Sequence, residues 1–186
     1  MTMDRSRLAL LLILVVGAAV RLVALGSEGL WVDESITIWF IRELSYGGLV
    51  WTLPRWNPHL PLFYLLVKGW TDLVGLAPPA EAPARTVSAL AGTALIGAGF
   101  LVGAEVADRR TGLVTALLLA LSPHVVYHSR VVRMYALFGL LVALTWWLAL
   151  RYHRSPTRAR AVGLGLSALA AVYTHYFGIL FAGFAV

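Results

Sequence analysis

Five long apolar stretches, at residues 8–25, 86–107, 111–127, 135–150 and 161–176, constrain this chain more than any other feature. A helix crossing a hydrocarbon core needs about 20 predominantly apolar residues, within a range of about 17–25. Each stretch is of that order. Arg21 interrupts the first and Glu105 lies at the end of the second. The pattern predicts an all-α, multi-pass membrane bundle with about five spanning helices. Another apolar run begins at Gly178 and reads as the start of a sixth helix. The chain is expected to be one domain over 1–186, truncated on its C-terminal side. Composition agrees: 60% of residues are hydrophobic and 13% charged, against about 45–50% and about 25% in soluble domains. A soluble enzyme, a disordered chain and a disulfide scaffold are excluded. The absence of cysteine removes thiolate chemistry.

Residues 60–76 are apolar but carry Lys68 and Asp72, and follow Pro54, Pro58 and Pro61. The arginines decide how to read them. Arg5 and Arg7 precede the first stretch, Arg109 and Arg110 separate the second and third, and Arg151, Arg154, Arg158 and Arg160 separate the fourth and fifth. All three clusters fall on the cytoplasmic side if the N-terminus is inside and residues 60–76 do not cross. Those residues then form an in-plane helix in a long outer loop, 27–85, with Trp51, Trp56, Tyr64 and Trp70 suited to the interface. The first stretch resembles a signal peptide, but its length, Arg21 and the lack of a small-residue cleavage site predict a retained signal anchor. The net charge of +6 sits in short clusters at helix ends, which points to the bilayer and not to nucleic acid.

This topology gathers the reactive side chains on the outer face: Asp33, Glu34, His59, His124, His128, Arg130, Arg133 and His175. Asp33-Glu34 reads either as a proton acceptor with its neighbour or as a helix N-terminus, with Asp33 capping a helix that runs to about Ser45. His59 is either an interfacial hydrogen-bonding group or a catalyst. Arg130 and Arg133 lie on the side where topology does not require arginine. They suit a phosphate or snorkel to headgroups. His124 and His128 have one-turn spacing, which leaves a divalent metal open as a weak alternative to no cofactor. No phosphate-binding Gly-rich loop, GxSxG or HExxH is present. Gly99 and Gly103 suit close helix packing.

Five segments, in order, resemble the GT-C superfamily of membrane glycosyltransferases, closest to its protein O-mannosyltransferase and lipid A aminoarabinose transferase branch. They are Asp33-Glu34, His59-Leu60-Pro61-Leu62-Phe63-Tyr64, Ala84-Arg85-Thr86-Val87-Ser88-Ala89, Ser122-Pro123 through Arg133-Met134-Tyr135, and Tyr173-Thr174-His175-Tyr176-Phe177-Gly178. The resemblance implies a polyprenyl-phosphate sugar donor and a protein, glycan or glycolipid acceptor. It implies Asp33 as the base for the acceptor hydroxyl, with Glu34 orienting the site or binding the acceptor. Arg133 and Arg130 would hold the departing phosphate, and His59 and His175 would line the sugar or phosphate pocket. Tyr64 and Tyr135, in the matching motifs, carry over as substrate-binding. Two positions depart from the pattern. Leu60 replaces a proline, and Arg130-Val131 replace a Gln-Glu pair, which favours a single-base scheme. A transporter or flippase for a lipid-linked substrate, and an inactive truncated homologue, are the alternatives. The charges lie at helix ends and not near the midplane, which favours the enzyme.

Overall fold

The structure is a computed structural model describing residues 5–56, 59–76 and 81–185. Pro58 and the Trp56 side chain therefore lie outside the described residues. Among the described residues every regular element is helical. The order is α1 (Arg5–Leu22), α2 (Val32–Glu43), α3 (Tyr46–Trp51), α4 (Leu53–Trp56), α5 (Leu62–Val74), α6 (Glu81–Val106), α7 (Arg109–Leu121), α8 (Pro123–Ser129), α9 (Tyr135–Arg154), α10 (Arg158–Thr174) and α11 (Gly178–Ala185). The all-α bundle is as expected.

The span count is met in part. Among the described residues two helices, Ala82–Val106 and Tyr135–Arg154, are by length and composition long and apolar enough to cross a membrane, and a third if α7 and α8 form one bent span. The physical reasons are local. Arg5, Arg7 and Arg21 all fall inside α1, and α10 stops after 17 residues because His175 turns extended. The helix in residues 60–76 forms as α5, with 13 residues. At about 1.5 Å per residue it is far too short for a core about 30 Å thick. Gly75 ends it at φ 87°, in the left-handed region that glycine tolerates.

Local chemistry sets the other boundaries. The Asp108 carboxylate accepts from the Thr111 backbone N–H at 2.8 Å and starts α7. Pro123 has no N–H to continue α7, so it begins α8 instead, bent by 62°. α6 and α7 touch backbone to backbone. A Cβ placed on Gly112 would lie 2.6 Å from the Phe100 carbonyl oxygen, and one on Gly103 2.9 Å from Gly112 Cα. The small residues read in the sequence as packing positions therefore allow this crossing.

The main apolar core joins α2, α3, α5, α6 and α9 through Ile38, Leu49, Phe63, Ala91 and Leu137, with Val132 from the turn before α9. A second packs Ile96, Ala116 and Ala120 against Leu10, Ile13 and Leu14 of α1. Polar contacts mark the two ends of the bundle. At one end Arg109 donates to Ser6 at 3.2 Å, and Glu105 pairs with Arg154 at 2.6 Å and Arg151 at 3.7 Å. The opposite end collects the C-terminus of α1, the N-termini of α2, α6 and α9, and the turn after α10. That end holds nearly all the chemically able side chains.

Candidate active site

Two adjacent carboxylates open α2, and they face different surroundings. Successive helical residues are rotated by about 100°, so neighbours cannot share a direction. Glu34 turns inward and is 1% exposed. Its Oε1 accepts from Arg85 Nε at 2.9 Å and from the Val132 N–H at 2.8 Å. Its Oε2 accepts from Arg85 Nη2 at 2.8 Å and from the Trp31 N–H at 3.4 Å. Burial pushes the Glu34 carboxyl up, but the hydrogen bonds from Arg85 and Val132 and the Arg85 charge more than offset it and hold it below the usual carboxylate range. Arg85, 4% exposed, donates its remaining hydrogens to the carbonyls of Leu25, Glu28 and Gly29 beyond α1. Glu34 is thus an ionised, four-fold acceptor in the protein interior. The N-cap of α2 is Trp31, so Asp33 is not the capping residue that one reading of the sequence expected.

Asp33 turns outward, with its side chain 46% exposed. Its Oδ2 lies 3.7 Å from Arg133 Nη2. Arg133 is 8% exposed. It donates through Nη1 to the Asp33 carbonyl at 3.4 Å and through Nη2 to His59 Nε2 at 3.1 Å, and its guanidinium lies over the Tyr135 ring at 5.9 Å. Its Nε has no hydrogen-bond partner among the described residues. The Ser88 hydroxyl fixes the backbone there by donating to the Arg133 carbonyl at 3.2 Å.

Two histidines complete the cluster. Burial, then the positive charge of Arg133 and the proximity of His175, push His59 down to about 4, against a smaller upward pull from Asp33. His59 is therefore neutral near pH 7, as its acceptor role toward Arg133 requires. The His175 ring, centred 5.8 Å from that of His59, stacks on Tyr176 and Phe177 and packs on Phe138. Its Nδ1 accepts from the Phe177 N–H at 3.2 Å, which assigns the remaining ring proton to Nε2. Burial and Arg133 also push its titration down.

Five of the expected residues thus meet: Asp33, His59, Arg133, Tyr135 and His175. Three stand apart. Glu34 is behind the cluster, held by Arg85. Tyr64 is 1% exposed, edge-on to Phe40 and Phe63 in the core, and not at an interface. Arg130 donates to the carbonyls of Val20, Arg21, Val23 and Ala24, closing the C-terminus of α1, where a cation is favoured. Those contacts hold Arg130 at the end of α1, apart from Asp33 and Arg133. His124 and His128 meet edge to face at 4.4 Å beside Tyr135, but no group of three or more His, Asp or Glu side chains among the described residues is disposed to hold a metal. The sequence reading gave no role to Arg85, Ser88 or Arg21. Arg85 and Ser88 fell within a family-matching segment, and Arg21 showed only as a charge inside an apolar run.

The sequence profile of the dolichyl-phosphate-mannose-protein mannosyltransferase family matches residues 58–186. The chain belongs to that family. Neither a curated protein nor a solved structure matches it. Membership of this mannosyltransferase family makes the chain a membrane glycosyltransferase of the GT-C type. The matched residues include His59, Arg85, Arg133, Tyr135 and His175. Asp33 and Glu34 precede the match, and it is the contacts to Arg133 and Arg85 that join them to it.

Proposed function

We propose that this family member transfers a sugar, of the mannose type, from a polyprenyl-phosphate carrier to a hydroxyl on a protein or glycan. The observation that carries the reading is the pairing at Arg133. A buried guanidinium with an unused Nε lies beside an outward carboxylate that it does not clamp. The acceptor oxygen attacks the anomeric carbon while the bond from that carbon to the phosphate oxygen breaks. The acceptor proton passes to Asp33, and polyprenyl phosphate leaves with the bonding electrons, inverting the anomeric centre. Arg133 faces the charge that develops on the leaving phosphate. Neutral His59 and the His175 stack border the sugar position. The arginine clusters at the far end of the bundle support a cytoplasmic placement for that end and an extracytoplasmic active site.

The test uses membranes containing this chain, radiolabelled polyprenyl-phosphate mannose, and acceptor membranes or peptides. Asp33→Asn lowers transfer by about 10²–10⁴-fold, the usual contribution of a positioned base. Arg133→Ala lowers it while Arg133→Lys restores part of it, because a point charge replaces some of what a forked donor supplies. Transfer by Asp33→Asn at the rate of the unaltered chain sinks the assignment.

A further inference from the structure

Glu34 is adjacent in sequence to Asp33, and Val132 is adjacent to Arg133. One hydrogen bond, from the Val132 N–H to Glu34 Oε1 at 2.8 Å, therefore joins the segment bearing the base to the segment bearing the cation. The residues are 98 apart in sequence. The same oxygen accepts from Arg85 Nε, and Arg85 is anchored on the carbonyls of Leu25, Glu28 and Gly29. From the geometry we infer that Glu34 and Arg85 are positioning residues: their ion pair is a clasp that sets the gap between Asp33 and Arg133. This rests on the reading of those two as the reacting pair.

Three features support the clasp. It is buried at 1% and 4% exposure, so water does not compete for its hydrogen bonds. It is bidentate, which fixes orientation as well as distance. It ends on a backbone N–H one residue from the working side chain, so little slack remains between clasp and site. By contrast, Arg133 itself meets Asp33 only through long contacts, 3.7 Å to Oδ2 and 3.4 Å to the carbonyl, which hold the two segments more loosely than the clasp. A carboxylate that already accepts four hydrogen bonds has no capacity left for an acceptor substrate.

The decisive variant is Glu34→Asp. It keeps the charge for Arg85 but is one methylene shorter, so it cannot reach both Arg85 and Val132. The readout does not depend on turnover. The chain has no native cysteine, so Asp33→Cys with Arg133→Cys can be joined by a short bismaleimide in detergent-solubilised protein. A second pair, Thr145→Cys with Ser167→Cys, reports on the α9–α10 packing, where the two hydroxyls are 3.1 Å apart. Glu34→Asp is expected to slow joining of the first pair by about tenfold, the equivalent of one hydrogen bond to a charged group, and to leave the second pair unchanged. An unchanged rate for the first pair overturns the clasp. Equal slowing of both pairs also overturns it, since the ion pair would then act on the whole fold. In the transfer assay, Glu34→Asp lowers kcat, and Arg85→Lys recovers more activity than Arg85→Ala. A failed Asp33→Asn test leaves the crosslinking result standing, so the two ideas fail separately.

Discussion

Removing either half of the Glu34–Arg85 pair leaves the other as a buried charge. In Glu34→Leu, the guanidinium, 4% exposed in the native fold, loses both contacts to the Glu34 carboxylate and is left with neutral partners that include the carbonyls of Leu25, Glu28 and Gly29. The Val132 and Trp31 N–H groups lose their acceptor as well. In Arg85→Met, a carboxylate 1% exposed keeps two backbone N–H groups, and the buried Leu25 carbonyl loses its donor. Breaking a buried pair from one side costs about 3–5 kcal/mol. Removing both charges together leaves only neutral groups unsatisfied, at about 1–3 kcal/mol each where water cannot reach. The double variant Glu34→Leu/Arg85→Met is therefore expected to cost less than the sum of the two single variants, by about 3 kcal/mol. The assay is equilibrium unfolding of all four proteins in one mild detergent, followed by tryptophan fluorescence and by helical circular dichroism. Additive losses would refute the reasoning. So would a Glu34→Leu protein within about 1 kcal/mol of the parent, the range of an exposed pair.

Three further outcomes are expected. Arg21, fully buried, donates to the carbonyls of Leu119 and Ala120 where α7 ends and to the Ser129 hydroxyl of α8; Arg21→Met should lower the unfolding free energy by about 2–3 kcal/mol, and an unchanged midpoint would contradict that role. His59 titrates at about 4 in the fold against 6.5 unfolded, so the unfolded chain binds the extra proton between those values. Stability present above pH 6.5 is then lost as pH falls toward 4, and His59→Gln should lose less over that interval in a pH series of unfolding midpoints. Gly112→Ala pushes a Cβ toward the Phe100 carbonyl oxygen at 2.6 Å and should cost about 1–3 kcal/mol, whereas Gly97→Ala, with nothing within 4 Å, should leave the melting temperature unchanged.

Much of the fold was legible because its causes are local. The apolar runs announced helices, although residues 111–127 read as one run and the structure divides them at Pro123 into α7 and α8. The arginines at residues 109, 110, 151 and 154 marked the helix ends that Ser6 and Glu105 share. Family likeness was legible for the same reason, since its motifs are short and ordered along the chain. The division of labour between Asp33 and Glu34 was not. Both are acidic, adjacent and at one helix start. Which one is sequestered depends on Arg85 and Val132, 51 and 98 residues away. The two arginines of the second loop posed the same problem. Arg130 and Arg133 have one charge and one neighbourhood in sequence, yet one closes α1 and the other faces Asp33. Tyr64 carried an interfacial signature and went to the core because α5 lies against α2 and α6. Residue type and period specify what a segment becomes. Which charge is buried, and beside what, follows from the meeting of distant segments, where desolvation lets only a matched pair go inside.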